Sequence, residues 1–222
     1  MKKICIILIA IILLTMLTAC GGSTSTTQNP AIDRLEDLAQ QHAGSPIRGS
    51  WDGNVFTSEH LGLRFVKPDG WMALTDVQIA EMTGRGIEQS LDSTDLDELM
   101  ELLGVTIFTD MGAVGTYTLG HVQIVYERLP NQFEVSAPQL VESMAELYAQ
   151  NGFEPNLDFS GTTRIGAYNW YVGGATITDS SGVQYFIRYF VTIRNEFGVA
   201  ITIGYDAESE TLEEILAMFS PL

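Results

Sequence analysis

Two arginines of one predicted strand, Arg188 and Arg194, are the residues of this chain best suited to bind an anion. They lie six positions apart in VQYFIRYFVTIR and therefore point to the same side of an extended strand. Phe186 and Phe190 share that side, and Arg164 belongs to a neighbouring predicted strand. The five residues predict a pocket for a small anionic ligand. The simpler expectation is that each arginine pairs with an acid or extends over the sheet edge.

No other residues form a recognisable catalytic or metal-binding set. The three histidines, His42, His60 and His121, have no second ligand at metal-binding spacing, so we expect them at the surface or in turns. The sequence contains no GxSxG or SxxK motif and no phosphate-binding loop motif. No carboxylate pair stands out among its 28 acidic residues, although a hydrolase acting on envelope material stays an alternative. The sequence therefore predicts a protein without enzymatic activity, cofactor or metal.

The acidic stretch EQSLDSTDLDELME departs from the EF-hand pattern, because Thr94 and Leu96 occupy ligand positions and the glycine is missing. Several of its acids fall in the first turn of a predicted helix, where they complement the helix dipole. The sequence favours this structural role and leaves weak calcium binding open.

The N-terminus predicts a secretory signal. Lys2 and Lys3 precede an apolar run that begins at Ile4 and ends at Ala19. These 16 residues are fewer than the ~20 that a membrane-spanning helix needs. The polar stretch STSTTQNP follows soon afterwards and does not extend the run. The segment is therefore expected to direct export.

The four residues LTAC that end this run, 17–20, resemble the lipobox of bacterial lipoprotein signal peptides. The resemblance implies that the Cys20 thiol receives a diacylglyceryl group and that residues 1–19 are removed. Two acyl chains would anchor the protein at the extracytoplasmic face of the cell membrane. An ordinary signal peptide, or an uncleaved anchor with an incidental cysteine, is the alternative.

The charge composition of the chain limits the classes of partner that it is expected to bind. The chain has 11 basic and 28 acidic residues, a formal net charge of −17. Such a chain repels nucleic acid and anionic lipid headgroups. We therefore expect no nucleic-acid partner, membrane contact through the lipid on Cys20, and an envelope protein as the partner class. After removal of the leader, which contains Cys5, one cysteine remains and no intramolecular disulfide forms.

Both strands and helices are predicted as the elements that would position these residues. Strands are predicted at 55–58, 62–67, 105–110 and 121–128, followed by 157–164, 167–178, 183–194 and 197–205. Capping patterns beginning at Thr75, Thr94, Ser136 and Thr211 predict helices, with Leu140, Met144, Leu147 and Tyr148 on the inner face of the longest. One face of 183–194 is wholly apolar, and the other is mixed but carries two phenylalanines, so the predicted sheet is covered at least in part on both sides.

The stretch HLGLRFVKPDGW, residues 60–71, resembles the opening hairpin of the PsbP-like fold, which includes bacterial lipoproteins of the DcrB kind. The resembling residues are Gly62, Leu63, Phe65, Pro68, Gly70 and Trp71. The approach Trp51-Asp52-Gly53-Asn54 is also similar to that of uncharacterised Gram-positive lipoproteins. The resemblance implies an α+β domain, an α/β/α sandwich around a mostly antiparallel sheet, and an accessory or assembly role without catalytic residues.

The sequence therefore predicts three regions: a lipoprotein signal peptide at 1–19, a lipidated Cys20 with a flexible tether and short helix at 20–49, and one PsbP-like domain at 50–222. The expected function is that of a membrane-anchored, non-catalytic binding or accessory module. An envelope hydrolase and a lipoprotein that binds a small anion are the alternatives.

Overall fold

Strands dominate the part of the chain that the structure, a computed structural model, describes. The described residues are 46–82, 100, 106–129, 135–156, 161–178, 180–206 and 211–222. Their elements are β1 (Ser50–Asp52), β2 (Val55–Ser58), β3 (Leu63–Val66), β4 (Trp71–Ala73), α1 (Asp76–Met82), β5 (Ile107–Gly115), β6 (His121–Arg128), α2 (Ala137–Gln150), β7 (Glu154–Asn156), β8 (Thr162–Ile165), β9 (Tyr168–Thr178), β10 (Gln184–Arg194), β11 (Phe197–Asp206), α3 (Leu212–Leu216) and β12 (Phe219–Pro221).

The strands form two antiparallel sheets. The large sheet has the order β4-β5-β6-β11-β10-β9-β7, with β8 also paired to β9. The small sheet has the order β1-β2-β3-β12. The predicted mostly antiparallel sheet is therefore confirmed, and the described part of the chain is dominated by sheet.

The helix α2 covers one face of the large sheet. Val141 and Tyr148 of α2 pack against Tyr185, Ile187 and Tyr189 of β10. The rings of Tyr148 and Tyr189 stack with centroids 5.5 Å apart. A Cβ atom at Gly173, on the neighbouring strand β9, would overlap the ring of Tyr189, so glycine there makes room for the tyrosine.

The inner face of α2 differs in part from the prediction. Ala137, Val141, Ala145 and Tyr148 are its buried residues, whereas the predicted Leu140, Met144 and Leu147 are half-buried. The opposing sheet face already carries large tyrosines, so small residues let the helix approach it. The predicted cap is present, because the backbone N–H of Ser136 donates to Gln139 Oε1 at 2.8 Å.

The small sheet and α3 cover the other face. Phe56 and Phe65 of the small sheet and Ile215 of α3 belong to one buried core with Phe190 and Ile201 of the large sheet. Within the described residues this second layer is therefore mostly a sheet, in place of the helical layer that an α/β/α sandwich would have. Of the helix predicted from Thr94, only Met100 is described; it is helical and fully buried.

Local signals predicted other elements with mixed success. Reciprocal hydrogen bonds between Thr75 and Gln78 cap α1, and equivalent bonds between Thr211 and Glu214 cap α3, as predicted. The strand predicted at 105–110 extends further than expected, because β5 continues through Gly115 where β4 pairs with it. Strands β1, β4 and β7 were not predicted.

The C-terminal end forms a strand in place of a continuing helix. Phe219, expected on the last helix, begins β12 and pairs with Phe65 of β3, with their ring centroids 5.0 Å apart. Cys20, His42, the short helix of the tether and the glycines after α1 lie outside the described residues. Among the described helices, none is long and apolar enough to cross a membrane.

A buried histidine lies at the α2 face of β6, contrary to the expected surface position. His121 is 7% exposed and shares a hydrogen bond of 2.7 Å with the hydroxyl of Tyr185. Burial lowers the pKa of His121 from 6.5 to about 4, although a backbone hydrogen bond with Leu119 opposes that shift. His121 is therefore neutral in the folded chain at pH 7.

His121 should make the folded chain less stable in mild acid. The unfolded histidine binds a proton near pH 6.5 and the folded one only near pH 4, so stability present above pH 6.5 is lost as the pH falls. Between pH 7 and pH 5 we expect His121 to contribute a loss of about 2 kcal/mol in the free energy of unfolding. Urea denaturation of the wild type and of His121→Gln at both pH values measures this contribution.

The Tyr185→Phe variant is the control, because it removes the hydrogen bond and keeps the titrating ring. This variant should retain the difference between pH 7 and pH 5, while His121→Gln should lose most of it. An equal pH dependence in the wild type and His121→Gln would contradict the assignment.

Candidate functional site

Three side chains of the large sheet converge near the β10–β11 hairpin. Tyr126 of β6 lies opposite Val199 of β11, and Arg194 of β10 lies opposite Phe197 of β11. Tyr168 begins β9, on the other side of β10, and its ring lies under the guanidinium of Arg194. The alternation of side chains along the strands directs all three toward the small sheet.

The small sheet contributes His60 to the same place. His60 lies in the turn between β2 and β3, and its ring centroid is 6.0 Å from that of Tyr126. The turn is closed by Ser58 Oγ, which accepts the N–H of Leu61 at 3.3 Å, and by Gly62, whose φ of 58° suits glycine. The turn thus holds the imidazole against the large sheet.

The charge of Arg194 lacks an acidic partner in the described part of the chain. Its guanidinium carbon lies 3.7 Å from the centroid of Tyr168, a cation–π contact. Its Nε atom is buried and has no hydrogen-bond partner among the described residues. The ion pairs formed by described side chains involve other residues. An arginine without a carboxylate is unexpected in a chain of net charge −17.

His60 and Tyr126 each add a buried polar atom without a partner. Nε2 of His60 and the hydroxyl of Tyr126 find no hydrogen bond among the residues that the structure describes. Burial, and then the charge of Arg194, lower the pKa of His60 below 6.5, so its ring is neutral at pH 7. Burial raises the pKa of Tyr126 well above 10, and the nearby Asp110 adds to the shift, so its hydroxyl keeps its proton. A polar contact with the Ser58 side chain, whose oxygen already accepts the Leu61 N–H, opposes the shift without the geometry of a full hydrogen bond.

We refer to His60, Tyr126, Tyr168 and Arg194 as the donor cluster. Tyr126 is completely buried, while the other three residues are half-buried. Tyr126 is therefore the innermost residue of the donor cluster, its floor, and the other three residues lie nearer the surface. Chemically, the arrangement offers hydrogen-bond donors and one positive charge.

An ion-pair network lies beside Tyr126. Arg48 donates from Nη2 to Asp76 Oδ1 at 2.7 Å and from Nε to Asp110 Oδ1 at 3.4 Å. Asp110 also accepts the N–H of Gly49 at 3.0 Å. Burial raises the pKa of Asp110 from 3.8 to about 6, while the Gly49 hydrogen bond and the Arg48 charge oppose the rise. Through these bonds residues 48 and 49 contact α1 and β5.

Of the residues predicted to bind an anion, Arg194 belongs to the donor cluster and Arg188 does not. They lie six positions apart along the strand, a distance of about 20 Å. Arg188 is 4% exposed, its Nη1 donates to the Ile187 carbonyl at 2.9 Å, and its guanidinium lies 5.8 Å from the ring of Phe186. A Cβ atom at Gly174 would lie 2.5 Å from Arg188 Nη1, so this glycine makes room for the guanidinium.

The other predicted residues have separate surroundings. Phe186 stacks on Tyr205 with centroids 5.4 Å apart, and Phe190 is buried in the core between the sheets. Arg164, on β8, is exposed, and its Nε reaches the Gly166 carbonyl at 3.5 Å. The structure therefore brings Arg188 and Phe186 together but does not gather all five residues at one place. Cys20 lies outside the described residues.

Sequence reasoning missed His60, Tyr126 and Tyr168. One available signal was the alternation Val122, Ile124, Tyr126, which places a hydroxyl at the end of an apolar stripe. His60 gave no such signal, because a histidine in a turn is usually solvated. Within the described part of the chain, no group of three His, Cys, Asp or Glu side chains is placed to hold a metal ion.

The chain has structural similarity to known proteins but no sequence match among the families and curated proteins compared. No family model and no curated protein sequence matches the chain. The chain is similar to the solution structure of cyanobacterial PsbP (CyanoP) from Synechocystis sp. PCC 6803, with a TM-score of 0.46 and 9% identity, over 93% of this chain and 99% of that one. It is also similar to LpqN, involved in cell envelope biogenesis of Mycobacterium tuberculosis, with a TM-score of 0.36 and 11% identity, over 70% of this chain and 76% of LpqN. At TM-scores below 0.5, neither similarity assigns a function.

Loss of Arg48 should destabilise the domain in a pH-dependent way. Arg48→Met leaves the Asp110 carboxylate buried with the Gly49 N–H as its remaining partner, and breaking such a pair costs about 3 kcal/mol. Because the pKa of Asp110 is already raised, the variant should lose more stability at pH 8, where the group is charged, than at pH 5. Thermal unfolding at both pH values measures the effect.

Adding Asp110→Asn to Arg48→Met should recover part of the stability at pH 8, because it removes the unpaired charge. Arg64→Met, at an exposed position of β3, should change stability by no more than about 0.5 kcal/mol. Equal destabilisation by Arg48→Met and Arg64→Met would show that the ion pair contributes nothing.

Proposed function

We propose that this chain is a bacterial lipoprotein, anchored through Cys20 at the extracytoplasmic face of the cell membrane, with a domain that binds and does not catalyse. The observation that carries the proposal is the position of Cys20, directly after a short apolar run and two small residues, Thr18 and Ala19. The run is too short to span the bilayer, so stable attachment requires another device, which two acyl chains supply.

The cysteine content supports the same proposal. The chain has two cysteines, Cys5 and Cys20, and cleavage before Cys20 removes Cys5 with the leader. The remaining thiol then has no intramolecular partner for a disulfide, and acylation would use it. The domain is held by its core: the large sheet is buried on both faces and contains Ile124, Trp170 and Ile201 with no exposed surface.

A PsbP-like domain is the proposed fold. Support for this fold comes from the stretch 60–71, which carries the resemblance. Gly70 has a φ of 83° in the turn after Pro68, and Trp71 is 6% exposed in the core. The Lys67 ammonium donates to the Trp71 carbonyl at 2.9 Å and closes the same turn. Met100, which is helical and buried, is the described residue that would belong to the second helical layer of an α/β/α sandwich.

A binding role fits the donor cluster better than hydrolysis does. A nucleophilic serine needs a base within hydrogen-bond reach. Ser58 Oγ accepts the N–H of Leu61, and His60 Nε2 has no hydrogen-bond partner among the described residues, so the two do not form such a pair. Unpaired donors with a positive charge instead suit a bound acceptor. We therefore propose an accessory module, with an envelope hydrolase as the alternative.

Replacing Cys20 tests the anchoring. Cells expressing the wild type should incorporate a palmitate analogue into the protein and retain it in the membrane fraction, because Cys20 is the acylated residue. Cys20→Ala should abolish the labelling and shift the protein out of the membrane fraction. Labelling and cell fractionation of both strains measure these outcomes.

Cys5→Ala is the matched control, since it removes the other cysteine of the chain and leaves residues 17–20 intact. This variant should be labelled and fractionated like the wild type. Persistent labelling of Cys20→Ala, or loss of labelling in Cys5→Ala alone, would refute the proposal.

A further inference from the structure

Three buried polar atoms without partners lie together in the donor cluster. They are the Nε of Arg194, the Nε2 of His60 and the hydroxyl of Tyr126, and none has a hydrogen bond within the described residues. More than nine-tenths of buried polar groups in proteins have a partner, because an unsatisfied group costs about 1–3 kcal/mol. Three such groups contributed by two different sheets therefore indicate a place where an outside acceptor completes the hydrogen bonds.

The positive charge of the donor cluster lies against an aromatic ring. The guanidinium carbon of Arg194 is 3.7 Å from the centroid of Tyr168, a cation–π contact that limits where the charge can move. The same charge lowers the pKa of His60, after the larger effect of burial. A ligand between them would meet the guanidinium, the imidazole and the Tyr126 hydroxyl together.

The ligand chemistry follows from these donors. Arginine N–H and tyrosine O–H groups match an oxygen acceptor, and a charged acceptor forms the stronger bond. The chain has a net charge of −17, and Asp110 lies near Tyr126, so a dianion such as phosphate meets more repulsion than a monoanion. The aromatic rings of His60, Tyr126 and Tyr168 suit a small apolar or planar body attached to that monoanion.

We propose that the donor cluster binds the carboxylate of a small organic acid, with Arg194 and Tyr126 as the principal donors. The carboxylate lies between the two sheets at the β10–β11 end, Arg194 supplies the charge, and Tyr126 supplies a hydroxyl from the floor. The inference names the ligand class of the proposed binding module, and in that respect it rests on the proposed function.

Calorimetric titration of the purified full chain at pH 7 tests the site. Benzoate is the probe, because it joins one carboxylate to a planar apolar body, and benzamide is its uncharged counterpart. Benzoate should bind at one site and at least tenfold more tightly than benzamide, equivalent to about 1.4 kcal/mol. Inorganic phosphate should bind more weakly than benzoate. Absence of benzoate binding, or tighter binding of phosphate, would overturn the proposal.

Two variants locate the site. Arg194→Gln should weaken benzoate binding at least tenfold, because it removes the charged donor. Arg64→Gln makes the same change at an exposed position of β3 and should change the affinity by less than twofold. An equal loss of benzoate affinity in the two variants would mean that the affinity depends on the overall charge of the chain and not on the donor cluster.

Tyr126→Phe separates binding from folding. The hydroxyl has no partner in the described part of the ligand-free chain, so its removal should leave the melting temperature unchanged or higher. The same variant should bind benzoate several-fold more weakly. Unchanged benzoate affinity, or a lower melting temperature without benzoate, would contradict the role given to the hydroxyl.

The Cys20→Ala chain keeps this test independent of anchoring. It should bind benzoate like the wild type, since residue 20 is outside the donor cluster. Benzoate binding by a chain that is never acylated would support the site and refute only the anchor. Normal acylation without benzoate binding would refute the site and leave the anchor standing.

Discussion

Burial of the large sheet on both faces is the constraint on which the rest of this structure depends. Strand β10, which lies inside the large sheet between β11 and β9, carries Tyr185, Ile187, Tyr189 and Val191 toward α2 and Phe190 toward the small sheet. Neither face of the strand is open to water, so the chain must supply two covering layers. The long helix forms one, and the small sheet with α3 forms the other. Of the arginines on β10, Arg188 is thereby buried and Arg194 half-buried, although such residues normally lie at the surface.

Polar groups in this interior are satisfied in different ways. Asp110 has an arginine and a backbone N–H as partners, and an ion pair of this kind stabilises a buried carboxylate only while both partners stay. His121 remains neutral and shares a hydrogen bond with Tyr185. The donor cluster differs from both, because Arg194 and Tyr126 carry buried donors that no described residue meets. Such unsatisfied donors lower the stability of the ligand-free protein and are available to form hydrogen bonds with a ligand.

Much of the fold was predictable because its signals are local, whereas the donor cluster depends on contacts between distant parts of the chain. Capping residues such as Thr75 and Thr211 specify helix starts through bonds three residues away, and alternation along 183–194 indicates two buried faces. The inner face of α2 was partly wrong, because the tyrosines opposite it decide which helix residues fit. His60 and Tyr126 are 66 residues apart, and no periodicity links a turn of one sheet to a strand of the other.

The most direct test is the nuclear magnetic resonance signal of the Arg194 Nε–H group in the nitrogen-15-labelled full chain. The signal is assigned by its absence from the Arg194→Gln spectrum. On addition of benzoate it should move downfield in a saturable manner, as expected for a new hydrogen bond to a carboxylate, while the other arginine Nε–H signals stay in place. An unmoved Arg194 signal at saturating benzoate, or equal shifts of all arginine signals, would contradict an anion site between the sheets.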